Sequence, residues 1–288
     1  STPIKSSAAS DVYKRQHNNS SMKKIECIIM DWAGTAVDYG CFAPVAAFLK
    51  AFKEIGITIS MEQARRPMGM AKIDHIRELF KMDGIGDAFE KVYDRQWTED
   101  DVIAMNKKFE GYLFASLADY TDPIPGVIET LQNLRSQGLK IGSTTGYTQA
   151  MMDVVLPNAA AKGYKTDNCV TPDRLPAGRP YPYMIYQNMI DLDIPSVDYI
   201  LKYGDTIADI KEGRNAKVWT VGVILGSNEM GLTEKEVADM PDQELETRKA
   251  EVRKRMLDAG AHFVVDTIKE LPSVIDTINK KLNNNNSK

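Results

Sequence analysis

KIECIIMDWAGTAVD, residues 24–38, is an apolar run that stops at an acid and opens into small residues. Ile25, Cys27, Ile28, Ile29 and Met30 predict a short strand buried on both faces, with a turn at Gly34. In open α/β sheets, ligands bind beyond the carboxyl ends of the strands. Asp31 stands at such an end, so it is either an acid that caps a turn or the first group of a site.

The chain of 288 residues is 43% hydrophobic, enough for a sizeable core. A formal net charge of -4 leaves no broad basic field, which argues against nucleic acid or an anionic membrane surface as the main partner. Small-molecule chemistry is the better expectation. Cys27, Cys41 and Cys169 are odd in number, widely spaced and free of any C-x-x-C pattern, so neither a disulfide framework nor a zinc site is indicated. No apolar run reaches the roughly 18 residues of a membrane span. A soluble, cytoplasmic protein is expected. Residues 1–21 are polar and aperiodic and read as a disordered or vector-derived leader.

After Asp38, residues 39–119 carry helical periodicity and no convincing strand, the mark of an inserted helical domain. Pro44 opens a helix through Val45, Phe48, Leu49 and Phe52 that Gly56 stops. Ser60 and Gln63 form a capping box for a short helix ended by Pro67 and Gly69. Ile73, Ile76, Leu79 and Phe80 stripe a further helix, and Thr98 with Asp101 opens a long one through Leu117. Residues 22–38 and 120–288 then make one core domain in which helices alternate with short apolar strands, as in a parallel sheet with crossovers. Strands are predicted at Leu139 to Gly142, Asn168 to Val170, Tyr199 to Tyr203, Val218 to Ile224 and Ala261 to Val265. Thr233 to Leu257 reads as a charged, solvated helical region, Thr267 to Leu282 as a last helix, and Asn283 to Lys288 as a frayed tail.

Four strand ends or loops carry complementary groups: Asp31, the hydroxyls around Thr145, the cation Arg179, and the acids Asp205 and Asp209. In a parallel sheet these ends share one edge. Magnesium takes one or two protein carboxylates together with a substrate phosphate, a count that Asp31 and Asp205 meet. Arg179 and a Thr145 hydroxyl would bind the remaining phosphoryl oxygens. Singly, each residue has a plainer reading, as a helix cap or an ion pair. Their joint placement favours a site.

Asp31-Trp32-Ala33-Gly34-Thr35, Ser143-Thr144-Thr145-Gly146-Tyr147, Arg179-Pro180 and Gly204-Asp205-Thr206-x-x-Asp209 resemble the four motifs of the haloacid dehalogenase superfamily. Within it, RRPMGMAKIDH at Arg65 to His75 and AGRPYP at Ala177 to Pro182 resemble the phosphonatase family, over a span from about Lys24 to the last predicted helix. The resemblance implies an α/β fold with a doubly wound, parallel-sheet, Rossmann-like core and an inserted α-helical cap. It also implies magnesium dependence, Asp31 as nucleophile, Lys72 as a Schiff-base former, a homodimer paired through the cap, and cleavage of the P–C bond of phosphonoacetaldehyde to acetaldehyde and phosphate. Thr145, Gly146 and Arg179 would hold the phosphonyl group, Met68, Gly69, Cys41 and Tyr147 would lie near the substrate, and Asp31, the Ala33 carbonyl and Asp205 would hold the metal, with Asp209 behind them. One departure is Ala36, where the family pattern has a second Thr.

Residue chemistry runs the same way. Ala33 occupies the position where phosphate-ester enzymes of the superfamily keep a second acid, and a positioned general acid is worth roughly 10² to 10⁴ in rate. A carbon leaving group needs an electron sink instead. An iminium on Lys72 supplies one, provided that the amine is neutral when it attacks. His75, three residues on, lies on the same helical face and would carry the proton. The alternatives are a magnesium phosphatase or mutase acting on a small phosphate ester, against which Ala33 speaks, and a silent assembly protein using the cap as an interface.

Overall fold

The computed structural model describes residues 22–284; the leader expected over residues 1–21, and the tail from residue 285 onward, lie outside the described residues. Strand β1, Cys27–Met30, is followed by a run of helices: α1 (Phe42–Glu54), α2 (Met61–Arg65), α3 (Lys72–Lys81), α4 (Ile85–Tyr93) and α5 (Glu99–Ser116). Alternation then begins with α6 (Val127–Ser136), β2 (Lys140–Ser143), α7 (Gln149–Ala161), α8 (Tyr183–Asp191), β3 (Ile200–Gly204), α9 (Ile207–Asn215) and β4 (Trp219–Val223). It closes with α10 (Glu234–Asp239), α11 (Asp242–Asp258), β5 (Phe263–Val265) and α12 (Leu271–Asn283).

The five strands lie in the order β2-β1-β3-β4-β5 and every pair is parallel. This is a doubly wound order, whose switch point lies between β1 and β3. Met30 stands opposite both Ser143 and Tyr203, so the segments that follow β1, β2 and β3 start at one level. Successive strand side chains point to opposite faces. Ile28 and Met30 accordingly join Ile141, Leu201 and Tyr203 in a cluster with Leu131, Met151 and Ile275 from α6, α7 and α12. Cys27 and Ile29 pack on the other face with Ile185 of α8 and Val218.

In the helical insert, α1, α3 and α5 wrap an aromatic interior in which Phe48 stacks on Phe109 with centroids 4.2 Å apart and Phe80 on Trp97 at 5.5 Å. Each such buried ring contributes about 1.5–3 kcal/mol. Both expected capping boxes, at Ser60 with Gln63 and at Thr98 with Asp101, are present. Two local expectations are corrected. Residues 168–170 form no strand, only a bridge between Val170 and Thr144, and helix α4 arises where glycines at 84 and 86 had hidden a short amphipathic turn. Thr233 to Leu257 is helical but divided, because Pro241 has no N–H to carry α10 onward. Among the described residues no helix is long and apolar enough to cross a membrane.

Candidate active site

Asp31 follows β1 and Asp205 follows β3 directly, so the register above brings the two acids together beside the switch point. One oxygen from each of Asp31, Asp205 and Asp209 lies within 4.8 Å of the others, and all three residues are buried. Thr35 donates its hydroxyl to Asp205 Oδ1 at 2.7 Å, and the Asn228 backbone N–H donates to Oδ2 at 2.8 Å. Burial, with Asp31 and Asp209 nearby, pushes the Asp205 carboxyl well above the usual range. Burial would raise Asp209 as well, but Arg179 and Lys202 outweigh it and hold that carboxyl low. Asp209 Oδ2 also accepts from the N–H and hydroxyl of Thr206 in the capping box of α9, while Oδ1 faces Lys202 at 2.9 Å and Arg179 at 3.2 Å.

These residues fit a hard divalent cation. Burial beside two other carboxylates drives Asp205 toward protonation, and such an ion would relieve that pressure. The space is also kept open, since a Cβ at Gly34 would fall on Asp205 Oδ2. Asp31 and Asp205, at the ends of β1 and β3, are the carboxylates that could hold the ion, and Ala33 lines the cavity beside Asp31.

Arg179 is fully buried and each of its nitrogens is engaged. Nε donates to Glu212 at 2.9 Å, one terminal nitrogen to the Gly69 carbonyl at 3.0 Å, and the other to Asp31 Oδ1 at 2.8 Å and Thr144 Oγ1 at 2.9 Å. Its guanidinium is thus aimed at Asp31 in a fixed plane. Sequence reasoning missed the group behind it. Lys202, fully buried in β3, donates to Thr144 at 2.9 Å and lies 2.9 Å from Asp209 and 3.3 Å from Glu212. The available signal was a lysine within the apolar strand Ile200–Gly204, since such residues are almost never fully buried unless paired.

The helical insert supplies the opposite wall. A cavity of about 20 Å³ is lined by Asp31, Ala33, Cys41, Met68, Gly69, Lys72, Thr145, Gly146, Tyr147 and Arg179, together with Pro44 and Thr206. Lys72 is the first residue of α3, buried, with Nζ 3.9 Å from Met68 Sδ and 5.0 Å from the centre of the Tyr147 ring. Burial lowers its amine from 10.5 to about 8, against the opposing influence of Cys41 and Asp31. The positive end of α3 favours the neutral amine too. Cys41 and Tyr147 are pushed up by burial and by the neighbouring acids, and stay protonated. Thr145 turns its oxygen to accept from the Tyr147 N–H at 3.0 Å, leaving the hydroxyl proton to donate. At Gly146 the insert comes so close that an added Cβ would collide with the Met70 carbonyl oxygen.

His75 does not line this cavity. Its Nε2 is 2.8 Å from the Ala64 carbonyl, which assigns the proton to that nitrogen, and its Nδ1 has no hydrogen-bond partner among the described residues. Burial, and the charge of Lys72, hold it well below its ordinary value, so the ring is neutral.

Acids beyond β1 and β3, an arginine clamped on the first of them, and a helical insert closing over both define a hydrolase of a known kind. The chain belongs to the haloacid dehalogenase-like hydrolases, whose family profile matches residues 25–217. Within that family it is similar to phosphonoacetaldehyde hydrolases. It is 65% identical to that of Bacteroides fragilis over 262 residues, covering 91% of this chain and 100% of the relative. It is 55% identical to that of Bacillus cytotoxicus over 258 residues, covering 90% of this chain and 98% of the relative. A crystal structure of a phosphonoacetaldehyde hydrolase-like protein from Oleispira antarctica superposes with a TM-score of 0.90 at 33% identity, over 93% of this chain and 97% of that one. A β-phosphoglucomutase from Clostridium difficile, at 18% identity and a TM-score of 0.64, shares the fold.

Proposed function

We propose that this enzyme hydrolyses the carbon–phosphorus bond of phosphonoacetaldehyde to acetaldehyde and phosphate, through an imine on Lys72 and a phosphorylated Asp31. The observation that carries the reading is a buried amine of lowered basicity lining the same small cavity as the Asp31 carboxylate. The names of the relatives point to the same reaction. Ala33, with no acid to offer an oxygen leaving group, supports it over a phosphate ester.

The neutral Lys72 amine adds to the aldehyde and loses water, giving an imine that is protonated to the iminium. Asp31 attacks phosphorus, the P–C bond breaks, and its electrons move into the carbon framework as an enamine, neutralising the iminium nitrogen. Protonation of the enamine carbon and hydrolysis of the imine free acetaldehyde and regenerate the amine. Water hydrolyses the aspartyl phosphate and restores Asp31. Arg179, the Thr145 hydroxyl and the Gly146 N–H hold the phosphonyl oxygens, donors aimed at the charge that develops there. A magnesium ion held by Asp31, Asp205 and the Ala33 carbonyl would supply neutralising charge. His75, one helical turn from Lys72 but outside the cavity and held neutral by burial, is left without a direct part in imine formation.

The helical insert, residues 39–119, acts in this reading as a lid over a core of residues 22–38 and 120–288. Pairing of two chains through it is supported by Ile103 and Phe114, exposed apolar residues that fall on one face of α5, and light scattering measures it. Three free cysteines suit a reducing cytoplasm. The deciding experiment follows phosphate release from phosphonoacetaldehyde by wild type, Asp31→Asn and Lys72→Arg, with borohydride added during turnover. Wild type should release phosphate and acquire a two-carbon label on Lys72, and both variants should be inactive. Full turnover by Lys72→Arg would refute the imine.

A further inference from the structure

Arg65 ends α2 and reaches across the seam between the cap and the core. One terminal nitrogen donates to the carbonyls of Gly40 at 2.6 Å and Cys41 at 3.4 Å, in the first connection between the two parts, and to Asn228 Oδ1 at 3.1 Å. Asn228 returns the contact, its Nδ2 donating to the Arg65 carbonyl at 3.1 Å. This asparagine belongs to the loop after β4, is buried, and is the residue whose backbone N–H donates to Asp205 Oδ2. The connection itself has the geometry of a pivot. Asp38, Gly40 and Cys41 all have positive φ, and the Gly40 N–H is tied to the Gly226 carbonyl at 2.7 Å.

Opening of the cap about residues 38–41 would shift Arg65 with the cap while Asn228 stays with the core. The Arg65 carbonyl, which does not share the Gly40 and Cys41 contacts of the guanidinium, would part from Asn228 Nδ2 first. The paired bonds between Arg65 and Asn228 are therefore the ones that form on closing and break on opening. Their core partner is the same residue whose backbone N–H donates to Asp205.

We propose that Arg65 and Asn228 form a clasp through which docking of the cap orients Asp205, making both of them positioning residues that link cap closure to occupation of the metal site. The inference rests on the reading of Asp205 as a metal ligand. Linkage is reciprocal: if closure favours the metal, the metal favours closure by the same factor. Asn228→Ala removes the clasp while keeping the backbone N–H on Asp205. Arg65→Met removes the guanidinium but keeps a stem against the Phe42 ring, over which Arg65 sits at 4.8 Å.

The test is amide hydrogen exchange over residues 65–72 of the full chain, with and without Mg²⁺ and with no substrate, alongside calorimetric titration of Mg²⁺. In wild type, Mg²⁺ should slow exchange there about tenfold, within the usual range of allosteric coupling. Both variants should still give a heat of Mg²⁺ binding but lose the slowing. Slowing that persists in either variant overturns the clasp. If Asn228→Ala does not fold, Arg65→Met decides alone. Absence of a Mg²⁺ heat in wild type would instead overturn the metal reading.

Discussion

Gly146→Ala isolates the contribution of the closed lid. Gly146 is outside the left-handed region, so alanine fits its backbone, and the N–H proposed to hold the phosphonyl group is kept. The new methyl carbon would lie 3.1 Å from the Gly69 carbonyl oxygen and well under 3.0 Å from that of Met70. Both oxygens belong to the lid, so the lid must retreat by about 1 Å, and a misplacement of that size costs on the order of 10²-fold in rate. Lys72 is two residues beyond Met70 and retreats with it, whereas Asp31, Asp205 and Arg179 stay in place. Phosphate release should therefore fall by about 10² in kcat/KM, with borohydride labelling of Lys72 slowed in parallel. The melting temperature should change little. Gly69→Ala is a poorer probe because its positive φ strains any other residue. Turnover by Gly146→Ala within about threefold of wild type, far short of that estimate, would refute the claim that the lid must close to this depth.

Other outcomes can be checked independently. Lys72 must be neutral to attack, and with its amine lowered to about 8 roughly a tenth is neutral at pH 7. The logarithm of kcat/KM should rise with unit slope below pH 8 and level above it; a rise continuing toward pH 10 would contradict the buried amine. Glu212→Gln leaves Lys202 and Arg179 short of a counter-charge, and breaking such a buried pair costs about 3 kcal/mol or more, measured by urea unfolding; an unchanged midpoint would refute the pairing. Mg²⁺ at about a hundred times its dissociation constant should stabilise the fold by about 2.7 kcal/mol, seen as a rise in melting temperature. Asp205→Asn should abolish that rise, and a rise that survives would place the ion elsewhere.

The catalytic edge was legible because it follows from strand ends. Apolar runs locate β1 and β3 within a residue or two, and parallel topology forces Asp31 and Asp205 together. Lys72 emerged only through a long resemblance, since a lysine at a helix start is ordinarily solvated and nothing local reveals that the insert folds down upon it. Lys202 and Glu212 escaped notice, and the link of Thr144 to them with it, for a related reason. Their meaning lies in mutual burial across β2, β3 and α9, which no periodicity within one segment encodes. Helix α4 was hidden by its glycines, and residues 168–170 show that a short apolar triplet does not make a strand without a neighbour to pair along its length.

The closed chamber, at about 20 Å³, has room for about one water molecule. A neutral amine reacts with stray sugars, ketones and acyl donors wherever they reach it. In the reading proposed above, Lys72, held against Met68 in a cavity that Gly69 also lines, would meet a carbonyl once an arriving molecule drew the Arg179 guanidinium from the Gly69 carbonyl. A neutral aldehyde has no charge with which to draw it, so the enclosure would also shield the amine from chemical ageing.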